Sequence, residues 1–260
     1  MQDPIASRFE FARSVILDAG ALANEYFGEL GSLDVKNKGP HDVVSEADLE
    51  TEILIRDKLL GKYPDDAFFG EETGLAGIEN RKGLWVVDPI DGTQPFVCGM
   101  ANWCVSIAYV LDGQLEFGLV YSPPLNELFS GGRGIPATLN GNLIHPHPGL
   151  DLKSGVVSVG YSTRASPYFL FSCLAKLLER GGMFFRNGSG ALSLCYVACG
   201  RLLGHVEPHI NSWDCLGAIA VIDAAGGQTS EFLTGDALLK GNRLVAGPKA
   251  VFEQLSMLMN

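Results

Sequence analysis

The chain has little of what would mark a secreted, membrane-spanning or nucleic-acid-coating protein. Its six cysteines (Cys98, Cys104, Cys173, Cys195, Cys199 and Cys215) contain no Cys-x-x-Cys pair and sit mostly in apolar stretches. That speaks against a disulfide framework or a zinc site and for reduced core residues. Basic side chains are scarce: 19 Lys and Arg against 30 Asp and Glu leave a formal net charge of −11. Such a surface repels phosphodiester backbones and offers no polybasic patch to anionic lipid, so neither bulk nucleic acid nor a membrane is an expected partner. No stretch approaches the apolar length of a membrane span, and MQDPIASRFEFARS at the N-terminus lacks the basic and apolar blocks of a secretion signal, so a cytoplasmic protein is expected. Internal repeats and low-complexity tracts are absent as well.

What is present suits a soluble globular protein: 260 residues, 47% hydrophobic and 19% charged. A chain of this size can bury a substantial core, either as one domain over 1–260 or as two packed halves, 1–145 and 146–260. Helical spacing of Ala12, Val15, Ile16, Ala19, Leu22, Ala23 and Tyr26 predicts an amphipathic helix over 5–27. A polar loop, KNKGPHD (36–42), follows, and Ser45 opens a second helix that runs to Tyr63-Pro64. Two β-rich runs around Asp112-Gly113 predict a hairpin. The Gly- and Pro-rich stretch 130–149 is the expected seam between the halves. Beyond it, strands near 155–161, 183–186, 202–207 and 243–247 alternate with helices from Pro167, from Gly188-Ser189-Gly190, from Ser212 and from Pro248. Alternating helices and strands with earlier hairpins imply mixed sheets covered by helices, an α/β (α+β) architecture.

The chemistry concentrates at the end of WVVDPIDGT (85–93), which reads as an interior strand closed by turn residues. Asp88 and Asp91 bracket Pro89-Ile90, and Glu71 and Glu72 lie in a glycine-bracketed acidic loop shortly upstream. Carboxylates crowded this way do not all stay ionised without cations between them, and magnesium, with its preference for a few carboxylates plus water and phosphate, is the default ion. Taken singly, each residue has a plainer role. Asp91-Gly92 makes an ordinary turn, Asp48 suits a capping box after Ser45, and Asp214 suits the first turn of a helix capped by Ser212.

Together, GEETG (70–74), WVVDPIDGTQPF (85–96) and SWDCLGAIAVIDAAGG (212–227) resemble the inositol monophosphatase family of magnesium-dependent, lithium-sensitive phosphatases. The likeness covers essentially the whole chain, with VKNKGPHDVVSEAD (35–48) similar to the family's lysine loop and the helix after it. It implies a layered α-β-α-β-α sandwich of mixed sheets and helices, two or three Mg²⁺ ions per site, and a homodimer; Trp103 and Phe171 could lie at its interface, although core burial is the expected fate of each. Carried over by position, Glu71, Asp88 and the carbonyl of Ile90 resemble the ligands of one ion. Asp88, Asp91 and Asp214 resemble those of a second. A weaker third site would lie beside Glu71, with Asp48 orienting its waters, and Thr93 with Glu71 would activate the attacking water. The resemblance places substrate against Asp91, Gly92 and Thr93, against the Gly188-Ser189-Gly190 turn, and against Glu207 as an acceptor for hydroxyls.

The implied activity is hydrolysis of a small phosphate monoester, foremost myo-inositol 1-phosphate or a related sugar or polyol phosphate. Gln94-Pro95, the segment Cys98-Gly99-Met100, His209 and Asn211 depart from the family pattern around the substrate. The alternatives on the same fold are a histidinol-phosphate phosphatase, a 3'-phosphoadenosine-type bisphosphate nucleotidase and a non-catalytic regulatory relative. A structural metal-binding protein is the alternative outside it.

Overall fold

The structure, a computed structural model, describes residues 4–30, 35–39, 42–77 and 81–260, with the backbone alone for 35–39 and 42–45. Helix α1 (Pro4–Gly28) buries Ala12, Val15, Ile16, Ala19 and Ala23 at helical spacing, as the sequence predicts. Strands β1 (Val35–Gly39) and β2 (Asp42–Ser45) pair antiparallel where a loop is expected. Residues 40–41 of that segment, and the Ser45 side chain expected to cap the next helix, lie outside what is described. Helix α2 (Glu46–Lys62) buries Ala47, Thr51, Ile55 and Leu59, and on the same side two carboxylates, Asp48 and Glu52.

The larger sheet contains β3 (Ala67–Gly70), β4 (Gly74–Ala76), β5 (Gly83–Asp91), β6 (Cys104–Leu111), β7 (Gln114–Ser122), β8 (Glu127–Gly132), β9 (Ile135–Leu139) and β10 (Asn142–Leu143). Their order is β10-β9-β8-β7-β6-β5-β3-β4, and β3 with β5 is its one parallel pair among the described residues. A short helix, α3 (Thr93–Val97), follows β5. The hairpin between β6 and β7 turns at Asp112 (φ 49°) and Gly113 (φ 77°), as expected of Asp-Gly. Residues 130–143 are not the seam the composition suggests. Gly134 and Asn140-Gly141 adopt positive φ and fold this stretch into further hairpins, so the sheet continues to Leu143 and the chain crosses over in 144–155.

The smaller sheet has the order β12-β11-β13-β15-β14, formed by β11 (Val156–Val159), β12 (Met183–Phe185), β13 (Gly204–Ile210), β14 (Gln228–Thr229) and β15 (Asn242–Gly247). Around it lie α4 (Pro167–Glu179), α5 (Gly190–Ala198), α6 (Ser212–Ala224), α7 (Ala237–Lys240) and α8 (Phe252–Ser256).

Alternation along the strands sorts the core into layers. Phe68, Trp85, Val87 and Ile107 pack on one face of the larger sheet with α1 and α2. Their neighbours Phe69, Val86 and Ala108 face the other way, onto Leu192 and Leu194 of α5 and Leu216 and Ile219 of α6. Those two helices are also covered by Leu244 and Ala246 of the smaller sheet, so α6 is apolar almost all round. Val157, Val206 and Val245 on the far face meet Leu177 of α4 and Leu255 of α8. The fold is therefore the layered α-β-α-β-α sandwich with two mixed sheets. Trp103 is fully buried, among Phe27 and Phe96, whereas Phe171 is exposed. No helix among the described residues is long and apolar enough to cross a membrane.

Candidate metal centre

Three local devices bring the carboxylates together. Because β3 and β5 run parallel with Gly70 opposite Val87, β3 ends where β5 reaches Asp88, and the Glu71 N–H donates to Val87 O (3.2 Å) as the chain turns away. At the end of β5, Asp88 pairs with Ser106 and Asp91 with Cys104, so three steps on β5 oppose two on β6. This bulge accommodates Pro89, which has no ladder donor, and resets the alternation that would otherwise aim residues three apart at opposite faces. Asp88 Oδ1 accepts the Ile90 N–H (3.0 Å) within it. Finally, α6 approaches end-on with Asp214 in its first turn. It packs closely on the sheet because Gly118 has no side chain; a Cβ there would lie 2.0 Å from Gly217 O.

As a result, carboxylate oxygens of Glu71, Asp88 and Asp214 lie within 4.8 Å of one another. Burial, reinforced by Glu71, Asp91 and Asp214, raises the Asp88 carboxyl well above its ordinary range. Asp214 is pushed up to about 7, first by burial and then by Asp91. An all-oxygen donor set whose charges repel one another is suited to a hard divalent cation.

Asp91 takes a different position from its expected partners. Its carboxylate turns to the start of α5, where Oδ2 accepts from Ser189 Oγ (2.5 Å) and Ala191 N (2.6 Å) and Oδ1 accepts from Gly190 N (3.2 Å). Burial raises Asp91 to about 6 even though these three donors oppose the shift. Ser189 Oγ in turn accepts from Leu192 N (3.2 Å) as the cap of α5, so one hydroxyl ties the helix to the acid.

Thr93 opens α3 after Gly92, whose φ of 98° and crowding by Asn102 O at 2.6 Å from an added Cβ leave no room for a side chain. Thr93 Oγ1 donates to Asp48 Oδ1 (3.0 Å) and lies 3.0 Å from Ile90 O. Asp48 thus reaches from α2 to the hydroxyl. The cap of α6 is Asn211 rather than the expected Ser212: Asn211 N (3.2 Å) and Nδ2 (3.0 Å) both donate to Asp214 Oδ2, while Ser212 Oγ donates to Leu238 O (2.7 Å). Arg164 Nη1 donates to Asn211 Oδ1 from the other side.

Beside the carboxylates opens a cavity of about 950 Å³, with Glu71, Asp91, Thr93 and Asp214 on one wall and Ser158, His205 and Glu207 on another. Gly188, Ser189 and Gly190 also line it, as do Gln94, Pro95, Cys98 and Met100. Two residues of this site went unnoticed in the sequence. Glu52, fully buried, accepts from Glu72 N (2.8 Å, Oε2) and Thr73 N (2.8 Å, Oε1) and so fixes the loop that carries Glu71. Its signal was the i, i+4 spacing from Asp48 on the apolar side of α2. His205 is the other, and period-2 alternation in HVEPH places it on the face of Glu207.

Comparison with known proteins agrees with this fold. The family model described as the inositol monophosphatase family matches residues 6–258. A Nus factor SuhB of Escherichia coli (strain K12) is 32% identical over 241 residues, covering 92% of this chain and 90% of the relative. Among solved structures, the extragenic suppressor protein suhB from Bartonella henselae matches with a TM-score of 0.90 at 28% identity, covering 96% and 97% of the two chains. The inositol monophosphatase of Thermotoga maritima matches with a TM-score of 0.85 at 28% identity, covering 98% and 97%. From its fold, its carboxylate cluster and this match over nearly its full length, the chain belongs to the inositol monophosphatase family.

Proposed function

We propose that this chain is a magnesium-dependent phosphatase of small phosphate monoesters, with myo-inositol 1-phosphate or a related sugar or polyol phosphate as substrate. The convergence of Glu71, Asp88 and Asp214 beside a cavity that also holds Glu207 supports this reading best. Glu71, Asp88 and Ile90 O would hold one ion, and Asp88, Asp91 and Asp214 a second, with a weaker third beside Glu71. Asp91 Oδ1 accepts one hydrogen bond and keeps capacity for a cation. When bound, magnesium supplies Lewis-acid stabilisation of the charge on the phosphoryl oxygens.

The side chains do the rest. Thr93 Oγ1 orients the attacking water and passes its own proton to Asp48 Oδ1 as it takes one from that water, which makes Asp48 the acceptor in place of Glu71. The backbone N–H groups of Gly92 and Thr93 face the phosphate. Glu207 and the Gly188-Ser189-Gly190 turn receive the alcohol, whose hydroxyls donate to the Glu207 carboxylate.

A second reading is supported by the relatives named Nus factor: a regulatory role on the same fold without turnover. The carboxylate cluster favours catalysis, since a retired site has no physical need for groups that repel one another when empty. Homodimerisation remains part of the proposal, with exposed Tyr168 and Phe171 of α4 available to an interface. Lithium inhibition at saturating magnesium is expected as well.

Phosphate release, with magnesium present or chelated, from inositol 1-phosphate, histidinol phosphate, fructose 1,6-bisphosphate and adenosine 3',5'-bisphosphate tests the reading. Magnesium-dependent turnover of the first above the others is expected. Preference for histidinol phosphate or the nucleotide would reassign the substrate, and turnover of none would favour the regulatory role.

A further inference from the structure

In the cavity beside the metal centre, Glu207 is only 8% exposed and has no lysine or arginine partner among the described residues. A carboxylate buried to this extent needs donors. One comes from His205, itself 1% exposed, whose Nε2 lies 3.2 Å from Glu207 Oε2. The carboxylate is an acceptor, so Nε2 carries the proton. The buried Nδ1, which has no partner, is then a bare lone pair rather than an unpaired N–H, the less costly of the two arrangements. Gly160, just past the end of β11, closes the other side, since a Cβ there would lie 2.1 Å from Glu207 Oε2. The carboxylate is thereby held with Oε2 occupied, and Oε1 has no hydrogen bond among the described residues in a cavity-lining side chain.

We propose that His205 is a specificity-determining positioning residue: it holds Glu207 so that a single carboxylate oxygen accepts a hydroxyl of the substrate's alcohol. This rests on the reading of Glu207 as the hydroxyl acceptor and adds the residue that aims it. The wall therefore selects an alcohol with a hydroxyl donor at one fixed place and gives no advantage to a ring that lacks one. The imidazole does not touch the substrate; it acts through Glu207.

Binding calorimetry in magnesium, on a Thr93→Ala background that slows turnover of the probes, separates this from a structural role, with myo-inositol 1-phosphate and cyclohexyl phosphate, the same ring without hydroxyls, as probes. His205→Phe keeps a planar ring but removes the N–H. It is expected to weaken binding of inositol 1-phosphate about tenfold, the worth of one hydrogen bond to a charged group, and to leave cyclohexyl phosphate unchanged. His205→Gln, which retains a donor of similar reach, is expected to restore most of the affinity and guards against a folding defect in the first variant. On a Glu207→Ala background, His205→Phe is expected to have no further effect. Equal weakening of both probes, no weakening of either, or additivity with Glu207→Ala would overturn the inference. Phosphate release by the unaltered protein is read separately: discrimination between the probes without release would sink the phosphatase reading and leave His205 in its role.

Discussion

The two walls of the cavity are built differently. The metal wall is made by backbone: β3 ending where the parallel β5 reaches Asp88, a bulge at Pro89 and helix α6 pressed on Gly118. The strand end at Gly70 and the bulge at Pro89 lie within contiguous motifs, whereas Gly118 lies outside them on β7. The substrate wall is made by side chains in contact, Glu207 held by His205 on the same strand, β13, and Ser189 of the α5 cap reaching to Asp91 at the end of β5. Chemistry common to a family resides where the backbone leaves few options, and the choice of alcohol resides where one side-chain change alters a contact without disturbing the fold.

If that contrast holds, the heaviest loss follows from the metal wall. Asp88→Asn, almost isosteric, is expected to reduce phosphate release more than about 10³-fold while the far-UV circular dichroism is unchanged, because it removes the charge at the centre of the cluster. Retention of full activity would break the account. Removing the proton relay costs less: Thr93→Ala and Asp48→Asn are each expected to lower kcat about 10²-fold with little change in KM, and the double variant to be no worse than either single one.

How much of this was legible follows the same division. The carboxylates, the strand that carries them and Asp214 stood in contiguous motifs, and periodicity gave α1, α2, β5, the β6–β7 hairpin and α6 nearly to their ends. The hairpins after Gly132 were obscured because Gly and Pro serve both turns and linkers. The cap of α6 was misplaced by one residue because Asn211 and Ser212 both suit that position; only the two bonds from Asn211 to Asp214 decide it. Glu52 was overlooked because acids on a helix ordinarily face water and its i, i+4 spacing from Asp48 is a weak signal; only the fold shows that it accepts two N–H groups of the Glu71 loop.

Glu52 supplies a smaller test on the metal wall. Glu52→Gln loses one of two acceptors for the loop amides, so magnesium affinity is expected to fall about 10- to 100-fold while kcat at saturating metal changes little. A loss of kcat with unchanged affinity would place Glu52 in the chemistry instead.

The mildest effect is on stability. Carboxyls whose folded pKa is raised favour the fold while protonated. That contribution is whole below their unfolded values near 4 and is lost as pH rises through about 6 for Asp91 and about 7 for Asp214. In chelator, Tm is therefore expected to fall by a few degrees between pH 5 and pH 8, and magnesium to restore it at pH 8. A chelated protein whose Tm is flat over that range would show that the cluster is not strained when empty.

Magnesium titrated by calorimetry into the protein and into Asp88→Asn, with no substrate present, bears most directly on the claim that Glu71, Asp88 and Asp214 form a metal centre. Saturable binding in the protein, abolished or weakened at least about 100-fold in the variant, is the expected result. Equal binding in both, or none in either, would contradict it.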